Sequence, residues 1–234
     1  MRTVAVIQAR MGSSRLPGKV MMELGGVPVL AQVVARARVA PGVDAVCVAT
    51  PITSQDDPLA ALAETLGAEV ARGSETDVLS RYALAAEVTG ADRIVRITAD
   101  CPFLDPRVAG RVLALLDTGA DYASNVAPRS WPKGLDVEAF TRHALVRAHE
   151  AAVDPYDREH VTPWMRAELN CANAALPSDA RAGWRWTLDH PEDLEFCRAV
   201  AWRLPPWPYL ASYEEAAAVI EAEPDLAKIN AHVA

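Results

Sequence analysis

The chain has 234 residues, of which 51% are hydrophobic and 23% are charged, a balance typical of a globular protein that excludes a disordered or fibrous one. The formal net charge of -8 opposes a nucleic-acid-binding protein, which normally has a basic face. No apolar run reaches the roughly 18 residues of a membrane span. From the apolar pattern we expect a cytoplasmic protein without a membrane partner, and from the net charge we expect no nucleic-acid partner.

Strands alternate with helices in the first part of the chain. The apolar run 3–7 predicts a buried strand, followed by a polar loop to about residue 26 and a helix from about Pro28. The same alternation continues with a strand at 45–49, a helix at 57–67, a strand at 68–70, a helix at 76–90 and a strand at 93–98. This order predicts a parallel sheet covered by helices on both faces, with ligands at the carboxyl ends of its strands.

The pattern is looser beyond residue 105. The predicted elements are a helix at 106–117, a strand at 121–124, an extended segment at 135–140, and helices at 141–151, 157–168 and 191–203. The proline-rich stretch 203–210 cannot be helical and separates the last two helices. Because no linker is long enough to separate independent domains, we expect one domain over 1–234.

The loop after the first predicted strand concentrates positive charge. Its sequence, QARMGSSRLPGK at 8–19, combines two glycines and two serines with three cations, and no Asp or Glu occurs in residues 1–22. Glycines let the backbone approach a phosphate, successive N–H groups form an anion nest, and Arg and Lys neutralise the oxygens. The loop is therefore predicted to bind a polyphosphate. The predicted contact residues are Ala9, Arg10, Gly12, Ser13, Ser14, Arg15 and Lys19.

Two other nucleotide-binding motifs do not match this loop. Gly12 and Gly18 are separated by five residues, whereas the glycines of a P-loop are separated by four, and Val20 stands where that motif has its magnesium-binding hydroxyl. No G-x-G-x-x-G follows the first strand, which opposes a dinucleotide-dependent oxidoreductase.

Two aspartates are candidate metal ligands. The motif TADCPFLDP at 98–106 places Asp100 just past a predicted strand, where its carboxylate would point into the crevice at the strand ends. Mg²⁺ prefers a few carboxylates together with phosphate oxygens and water, so a second acidic residue should converge on Asp100. Asp189 in WTLDHPEDL could supply it, or it could instead cap the helix that begins near Pro191.

Two further clusters carry charge. Asp136 and Glu138 are two residues apart in GLDVEAF, so on a strand they share a face and could contact sugar hydroxyls or a second metal, or simply be exposed. The run Arg158, Glu159 and His160 could bind an acidic group of a substrate or take part in proton transfer. The alternative is a salt-bridge set at a helix N-terminus.

The run IQARMGSSRLPGKVM at 7–21 strongly resembles the start of the spore coat polysaccharide biosynthesis protein F family. That family is a branch of the cytidylyltransferases related to 3-deoxy-manno-octulosonate cytidylyltransferase. The resemblance covers most of the chain and continues, in the same order, through 73–82, 97–106, 121–125, 134–140, 158–164 and 185–196. It implies an α/β, Rossmann-like nucleotide-diphospho-sugar transferase fold of the glycosyltransferase-A-like type, with a mostly parallel central sheet and helices on both faces.

The resemblance also implies a reaction. A nucleoside monophosphate would pass from a nucleoside triphosphate, with CTP as the expected one, to a sugar or sugar-phosphate acceptor in surface polysaccharide biosynthesis, with Mg²⁺ as cofactor and pyrophosphate as the second product. The nucleotide-binding half would be about 1–105. The half at about 106–234 would bind the sugar, and homodimerisation through it is left open.

Roles for individual residues follow from the same resemblance. The catalytic set would be Arg10, Arg15, Lys19 and Asp100, with Ser13 joining the three cations on the triphosphate. Asp189 would complete the metal site with Asp100. The segment after the third strand would approach the base and ribose through Arg72, Gly73 and Ser74, braced by Asp77 and Arg81. The candidate acceptor contacts, Asp136, Glu138, Arg158 and His160, rest on the spacing and charge described above rather than on the resemblance.

Two alternatives stay open on the sequence alone. One is a glycosyltransferase that uses a preformed nucleotide-sugar, with Asp136 and Glu138 as its acid-x-acid metal motif. Three cations in one loop favour a triphosphate over the diphosphate of such a donor. The other is a non-catalytic nucleotide-binding module, against which Asp100 and Lys19 count. Trp131, in a predicted loop, is a candidate for stacking on the sugar.

Overall fold

A computed structural model describes residues 1–176 and 181–233. The strands are β1 (Thr3–Gln8), β2 (Glu23–Leu24), β3 (Val27–Pro28), β4 (Ala45–Pro51), β5 (Glu69–Gly73), β6 (Arg93–Thr98), β7 (Tyr122–Ser124), β8 (Glu138–Thr141) and β9 (Cys171–Asn173). The helices are α1 (Val29–Arg38), α2 (Asp57–Thr65), α3 (Val78–Thr89), α4 (Pro106–Ala114), α5 (Arg142–Ala151), α6 (Pro155–His160), α7 (Pro163–Glu168), α8 (Pro191–Arg203), α9 (Tyr213–Ala222) and α10 (Asp225–Lys228). Short 3-10 helices occur at Lys19–Met21, Ser54–Asp56 and Leu115–Thr118.

Within the described residues, seven strands form the central sheet, in the order β5-β4-β1-β6-β8-β7-β9, and β2 pairs with β3 in a separate hairpin. The strands β5, β4, β1 and β6 are parallel to one another, β8 is antiparallel to β6 and to β7, and β9 is parallel to β7. The predicted mostly parallel sheet is thereby confirmed. After β1 the chain builds outward through β4 and β5 and then returns to the other side of β1 as β6. The carboxyl ends of β1 and β6 therefore flank the point where ligands bind in such sheets.

Both faces of β1 are buried, which explains its uninterrupted apolar sequence. Ala5 and Ile7 pack into one core with apolar residues of α1, α4, α8 and α9, whereas Val4 and Val6 pack on the opposite face with residues of α3, α5 and α7. Helices thus cover both faces of the sheet, as predicted. Among the described residues, no helix has the length and the apolar composition that a membrane crossing requires.

The structure departs from the predicted elements at several short segments. The helix predicted at 157–168 is two helices, because α6 ends at His160, Val161 has a φ of 71°, and Pro163 lacks the N–H that a continuous helix would need. The hairpin β2–β3 and the strand β9 were not predicted. These strands have two or three residues each, too few for an alternating pattern to be recognised.

Candidate active site

A polar cavity of about 220 Å³ opens at the carboxyl ends of β1 and β6. It brings residues of the cation-rich loop together with the two candidate metal ligands from distant parts of the chain. The lining residues are Gln8, Ala9, Arg10, Ser13, Ser14, Arg15, Lys19, Val20, Thr98, Ala99, Asp100 and Asp189. Of the predicted contact residues in this loop, Gly12 alone is not part of the lining. We refer to this cavity as the phosphate cavity.

The loop above the cavity is held by backbone hydrogen bonds and one buried carboxylate. The carbonyl of Met11 accepts from the N–H groups of Ser13 and Gly18, both at 3.0 Å, and Gly18 takes a φ of 68° that favours glycine. The N–H of Met11 donates to Oδ1 of Asp56 at 2.7 Å. Asp56 is 3% exposed and also accepts a hydrogen bond from the hydroxyl of Thr53. Asp56 could not be identified from the sequence, because nothing local links it to a loop 45 residues away.

We expect replacement of Asp56 by alanine to weaken the binding of a nucleoside triphosphate, the kind of polyphosphate expected at this loop, about tenfold. A hydrogen bond to a charged group contributes about 1.5–3 kcal/mol, and the loop would lose one anchor. Isothermal titration calorimetry measures the dissociation constant. Asp44 is the matched control, because its carboxylate accepts from the N–H of Thr3 at 2.7 Å, at the opposite end of β1. An equal rise in the dissociation constant for Asp44→Ala would contradict the assignment of Asp56 to the loop.

Asp100 and Asp189 converge on the ammonium group of Lys19. The Nζ atom of Lys19 lies 2.9 Å from Oδ2 of Asp100 and 2.7 Å from Oδ1 of Asp189. Burial by itself would lower the pKa of Lys19, but the two aspartates reverse this effect and hold its pKa above the ordinary value. Burial would likewise raise the pKa of Asp100, and Lys19 reverses that effect and lowers it. Both charges of the Lys19–Asp100 pair are therefore maintained at neutral pH.

A buried aspartate one turn further along the chain fixes the backbone of Asp189. Oδ2 of Asp193 accepts from the N–H groups of Asp189 and His190, each at 2.9 Å. Arg185 donates to both oxygens of Asp193 at 2.8 Å, and Asn230 donates to Oδ1 at 2.9 Å. Asp193 thus satisfies the N-terminus of α8, and the capping role considered for Asp189 is wrong. The Asp189 carboxylate faces the phosphate cavity instead.

The two arginines of the loop, Arg10 and Arg15, differ in their contacts with the rest of the protein. Arg15 contacts Nε2 of His190 at 3.0 Å and lies 3.6 Å from Oδ1 of Asp189. The Arg10 side chain lines the cavity and makes no hydrogen bond or ion pair with any residue in the described ranges. Its guanidinium is therefore available to an incoming anion, and a planar guanidinium matches the oxygens of a phosphate group.

The donor set suits a metal that takes only part of its coordination from protein. No cluster of three or more His, Cys, Asp or Glu side chains that could hold a metal exists within 1–176 and 181–233. Two converging carboxylates beside a polar cavity lined by cations suit Mg²⁺, because Mg²⁺ retains waters and binds substrate phosphates as well as one or two carboxylates. Asp100 and Asp189 are the residues that would hold it.

The segment predicted to approach the base lies at the end of β5, at the same edge of the sheet. Arg72 uses its guanidinium within the protein, donating to the carbonyl of Thr53 at 2.7 Å and pairing with Asp57 at 2.7 Å. A side chain at Gly73 would approach the Arg81 side chain to 3.4 Å. Neither Arg72 nor Gly73 lines the phosphate cavity, so a base subsite here stays a prediction.

The same segment is braced from below by α3. The buried Arg81 donates to the carbonyl of Ser74 at 2.8 Å, and the hydroxyl of Ser74 accepts from the N–H of Asp77 at 3.0 Å. Asp77 caps α3 by accepting from the N–H of Ser80 and pairs with Arg158 at 2.6 Å. Burial tends to raise the pKa of Asp77, but Arg158 outweighs this and the pKa falls. Asp77 and Arg81 thus hold the backbone at Ser74, and a role for this segment in nucleotide binding stays a prediction.

The structure corrects the role expected for Arg158. Its guanidinium contacts Asp77 and the backbone carbonyls of His149 and Ala152 rather than facing a cavity. Arg158 lies in the last turn of α6, and the N-terminus at which it forms a salt bridge is that of α3, whose N-cap is Asp77. Its pairing with Asp77, 81 residues away in sequence, explains the difference.

A second polar cavity of about 320 Å³ adjoins the first, since Thr98 lines both. It is lined by Arg96, Thr98, Val126, Arg129, Asp136, Glu138, Tyr156, His160, Thr162 and Arg166. We call it the distal cavity. The predicted residues Asp136, Glu138 and His160 are part of its lining, whereas Arg158 and Glu159 are not. The ring of His160 packs against Tyr156, with their centroids 4.3 Å apart.

The two carboxylates of the distal cavity are already occupied by protein partners. Asp136 is held by both Nη atoms of Arg129, at 2.7 and 2.8 Å. Glu138 is 5% exposed and binds Arg96 as well as the hydroxyls of Tyr122 and Thr162. Burial would raise the pKa of Glu138, but Arg96 and these hydroxyls lower it. An acid-x-acid metal site at these residues is therefore not supported.

Trp131 is a core residue and does not line either polar cavity. It is 2% exposed, its indole N–H donates to the carbonyl of Ala174 at 2.7 Å, and its ring packs edge-on against Tyr213. The expectation that Trp131 stacks on a sugar is therefore wrong. A tryptophan with a satisfied N–H is well accommodated in a core.

Comparisons with known proteins agree with this architecture. A family model described as cytidylyltransferase matches residues 4–215. The spore coat polysaccharide biosynthesis protein SpsF of Bacillus subtilis is 35% identical over 83% of this chain and 84% of its own length. A solved cytidylyltransferase from Leptospira borgpetersenii is 29% identical and superposes with a TM-score of 0.91, covering 97% of this chain and 96% of that one.

A more distant solved structure shares the fold. It is a CMP:2-keto-3-deoxy-manno-octonic acid synthetase complexed with CTP, which is 22% identical, has a TM-score of 0.68, and covers 87% of this chain and 100% of that one. The fold is thus the Rossmann-like fold of nucleotidyltransferases. With a family model spanning most of its length, the chain belongs to the cytidylyltransferase family.

Proposed function

We propose that the protein transfers CMP from CTP to a sugar or sugar acid and releases pyrophosphate. One observation supports this proposal. Lys19, Asp100, Asp189 and Arg10, which has no ion pair within 1–176 and 181–233, meet in one cavity at the carboxyl ends of β1 and β6. The solved relative with bound CTP and the spore coat polysaccharide protein among the relatives support CTP as donor and a surface polysaccharide precursor as product.

The chain's own residues would act mainly by binding and neutralising charge. Arg10, Arg15 and Lys19 would donate hydrogen bonds to the phosphate oxygens and stabilise the charge that develops on the departing pyrophosphate. Asp100 and Asp189 would hold Mg²⁺, which when bound neutralises charge at the α-phosphate. An acceptor hydroxyl would attack the α-phosphorus in line with the leaving pyrophosphate.

The distal cavity is the proposed acceptor subsite. It adjoins the phosphate cavity at Thr98, so an acceptor bound there would be next to the α-phosphate. Asp136, held in place by Arg129, offers oxygens that can accept from sugar hydroxyls, and the His160 ring lies at the same wall. Glu138 would contribute by fixing Arg96 rather than by touching the sugar.

Pyrophosphate release tests this proposal. The purified protein is incubated with Mg²⁺, each of the four common nucleoside triphosphates and a panel of sugars, sugar acids and sugar phosphates. We expect release that requires one acceptor, is fastest with CTP and stops when the metal is chelated. Triphosphate binding without turnover on any acceptor, or consumption of a preformed nucleotide-sugar without pyrophosphate, would contradict the proposal.

A further inference from the structure

The ammonium group of Lys19 lies between Asp100 and Asp189, where a metal ion bound by both carboxylates would have to lie. Nζ is 2.9 Å from one carboxylate and 2.7 Å from the other, and the Lys19 side chain is 12% exposed. A divalent ion drawn to the same two carboxylates would be repelled by a positive charge this close, in a site where water screens poorly. The ammonium and the metal ion therefore compete for the two aspartates.

The backbone of Lys19 is fixed, so the competition must be resolved by its side chain. Lys19 opens a 3-10 helix directly after Gly18, and the next residue, Val20, is 2% exposed in the core. The four-carbon stem of lysine is flexible and its ammonium is a point charge without a fixed direction. Nζ can therefore leave the aspartates while the loop stays in place.

The phosphate cavity offers the ammonium an alternative anion only when a ligand is bound. Among the described residues, the side chains that line it near Lys19 are cationic or neutral apart from the two aspartates: Arg10, Ser13, Ser14, Arg15 and Thr98. Without phosphate, Asp100 and Asp189 are the anions within reach. With a triphosphate in the cavity, the phosphate oxygens would compete with the aspartates for the ammonium.

We propose that Lys19 is a placeholder cation that closes the metal site in the nucleotide-free protein and releases it when a triphosphate enters. This inference rests on the proposed function, because it assigns the phosphate cavity to a triphosphate. Its consequence is an order of events: nucleotide binding makes the two aspartates available, so the protein alone binds divalent metal weakly. Metal and nucleotide then bind cooperatively through Lys19, in addition to the metal's own affinity for the triphosphate.

Metal binding in the absence of nucleotide tests the proposal without any turnover. Mn²⁺ serves as the probe, and its free concentration is measured by electron paramagnetic resonance during titration of the protein. Lys19→Met keeps the length of the side chain and removes its charge. We expect this variant to bind Mn²⁺ about 5- to 150-fold more tightly than the wild type, the usual range of coupling between linked sites.

Arg10→Met is the matched control. It removes one positive charge from the same cavity, but Arg10 contacts neither aspartate. We expect it to change the Mn²⁺ affinity much less than Lys19→Met, and we expect Asp189→Asn in the Lys19→Met background to abolish the gain. Equal affinities of Lys19→Met and the wild type, or an equal gain from Arg10→Met, would overturn the proposal.

A measurement on the wild type tests the same proposal if Lys19→Met does not fold. The chain has only three lysines, Lys19, Lys133 and Lys228, so their side-chain carbon signals can be assigned by nuclear magnetic resonance after selective labelling. Titration with Mg²⁺ should shift the Lys19 signal and leave the other two unchanged. Saturation with metal, monitored by calorimetry, without a change in the Lys19 signal would also overturn the proposal.

The two proposals can fail separately. The metal titrations contain no nucleotide, whereas the proposed function is read from pyrophosphate release by the wild type. Turnover of CTP together with an unchanged Mn²⁺ affinity of Lys19→Met would refute the placeholder role and leave the function intact. Tighter metal binding by Lys19→Met, with no pyrophosphate released from any triphosphate, would refute the function alone.

Discussion

Replacing Asp100 with asparagine is expected to reduce kcat/KM for pyrophosphate release by on the order of 100-fold or more, the usual cost of removing one preorganised electrostatic partner. The amide keeps the size of the side chain but removes the charge that binds Lys19 at 2.9 Å and would hold the metal. A coupled assay of pyrophosphate with CTP and the acceptor measures the loss.

Asp225→Asn is the control for this substitution. Asp225 also forms an ion pair with a lysine, at 2.7 Å from Lys228, but its side chain is 92% exposed and lines neither polar cavity. This variant should keep the kcat/KM of the wild type. If Asp100→Asn kept it too, with unchanged thermal unfolding, Asp100 would not be part of the catalytic site.

Replacing Asp193 with alanine is expected to lower the free energy of unfolding by about 3–5 kcal/mol, because it breaks a buried charge pair by removing one partner. Asp193 is 0% exposed and accepts hydrogen bonds from Arg185, Asn230 and the backbone of Asp189 and His190. Its pKa is lowered because Arg185 outweighs the effect of burial. Urea denaturation, monitored by circular dichroism, gives the free energy of unfolding.

The exposed Asp225 again provides the comparison. Asp225→Ala removes an ion pair at the surface, where such pairs contribute about 0–1 kcal/mol. A loss for Asp193→Ala no larger than this would show that the Arg185–Asp193 pair does not organise the start of α8. Because Asp193 also fixes the backbone of Asp189, we expect the surviving folded fraction of Asp193→Ala to release pyrophosphate more slowly than the wild type.

The elements of the fold that could be predicted are those with a recognisable pattern in a short segment of the sequence. The apolar run of β1, the helix ended by Gly90 and the strand β6 each carry a pattern within about ten residues, and the structure has them at or near the predicted bounds. The alternation of strands and helices predicts a parallel sheet, in which the loop that follows β1 lies at the same edge as Asp100. The proximity of these two segments in the phosphate cavity follows from topology alone.

The parts that could not be predicted depend on contacts between distant residues. Asp56 anchors the loop from 45 residues away, and Arg158 pairs with Asp77 across 81 residues. Neither contact leaves a periodic or spacing signal in the sequence. Trp131 was misassigned for a related reason, since a residue in an irregular segment can be as buried as one in a strand. Asp193 stands in the first turn of α8, but its buried partner Arg185 lies before that helix, so no pattern within the helix reveals the pair.

A triphosphate and a metal are expected to share the phosphate cavity with Lys19, Asp100 and Asp189. The most direct measurement is a crystal structure with Mn²⁺ and a non-hydrolysable CTP analogue, using the anomalous signal of manganese. We predict a manganese peak within coordination distance of both Asp100 and Asp189, with Arg10 and Lys19 on the phosphate oxygens. A manganese peak at Asp136 and Glu138, or a nucleotide bound away from Arg10 and Lys19, would contradict the account.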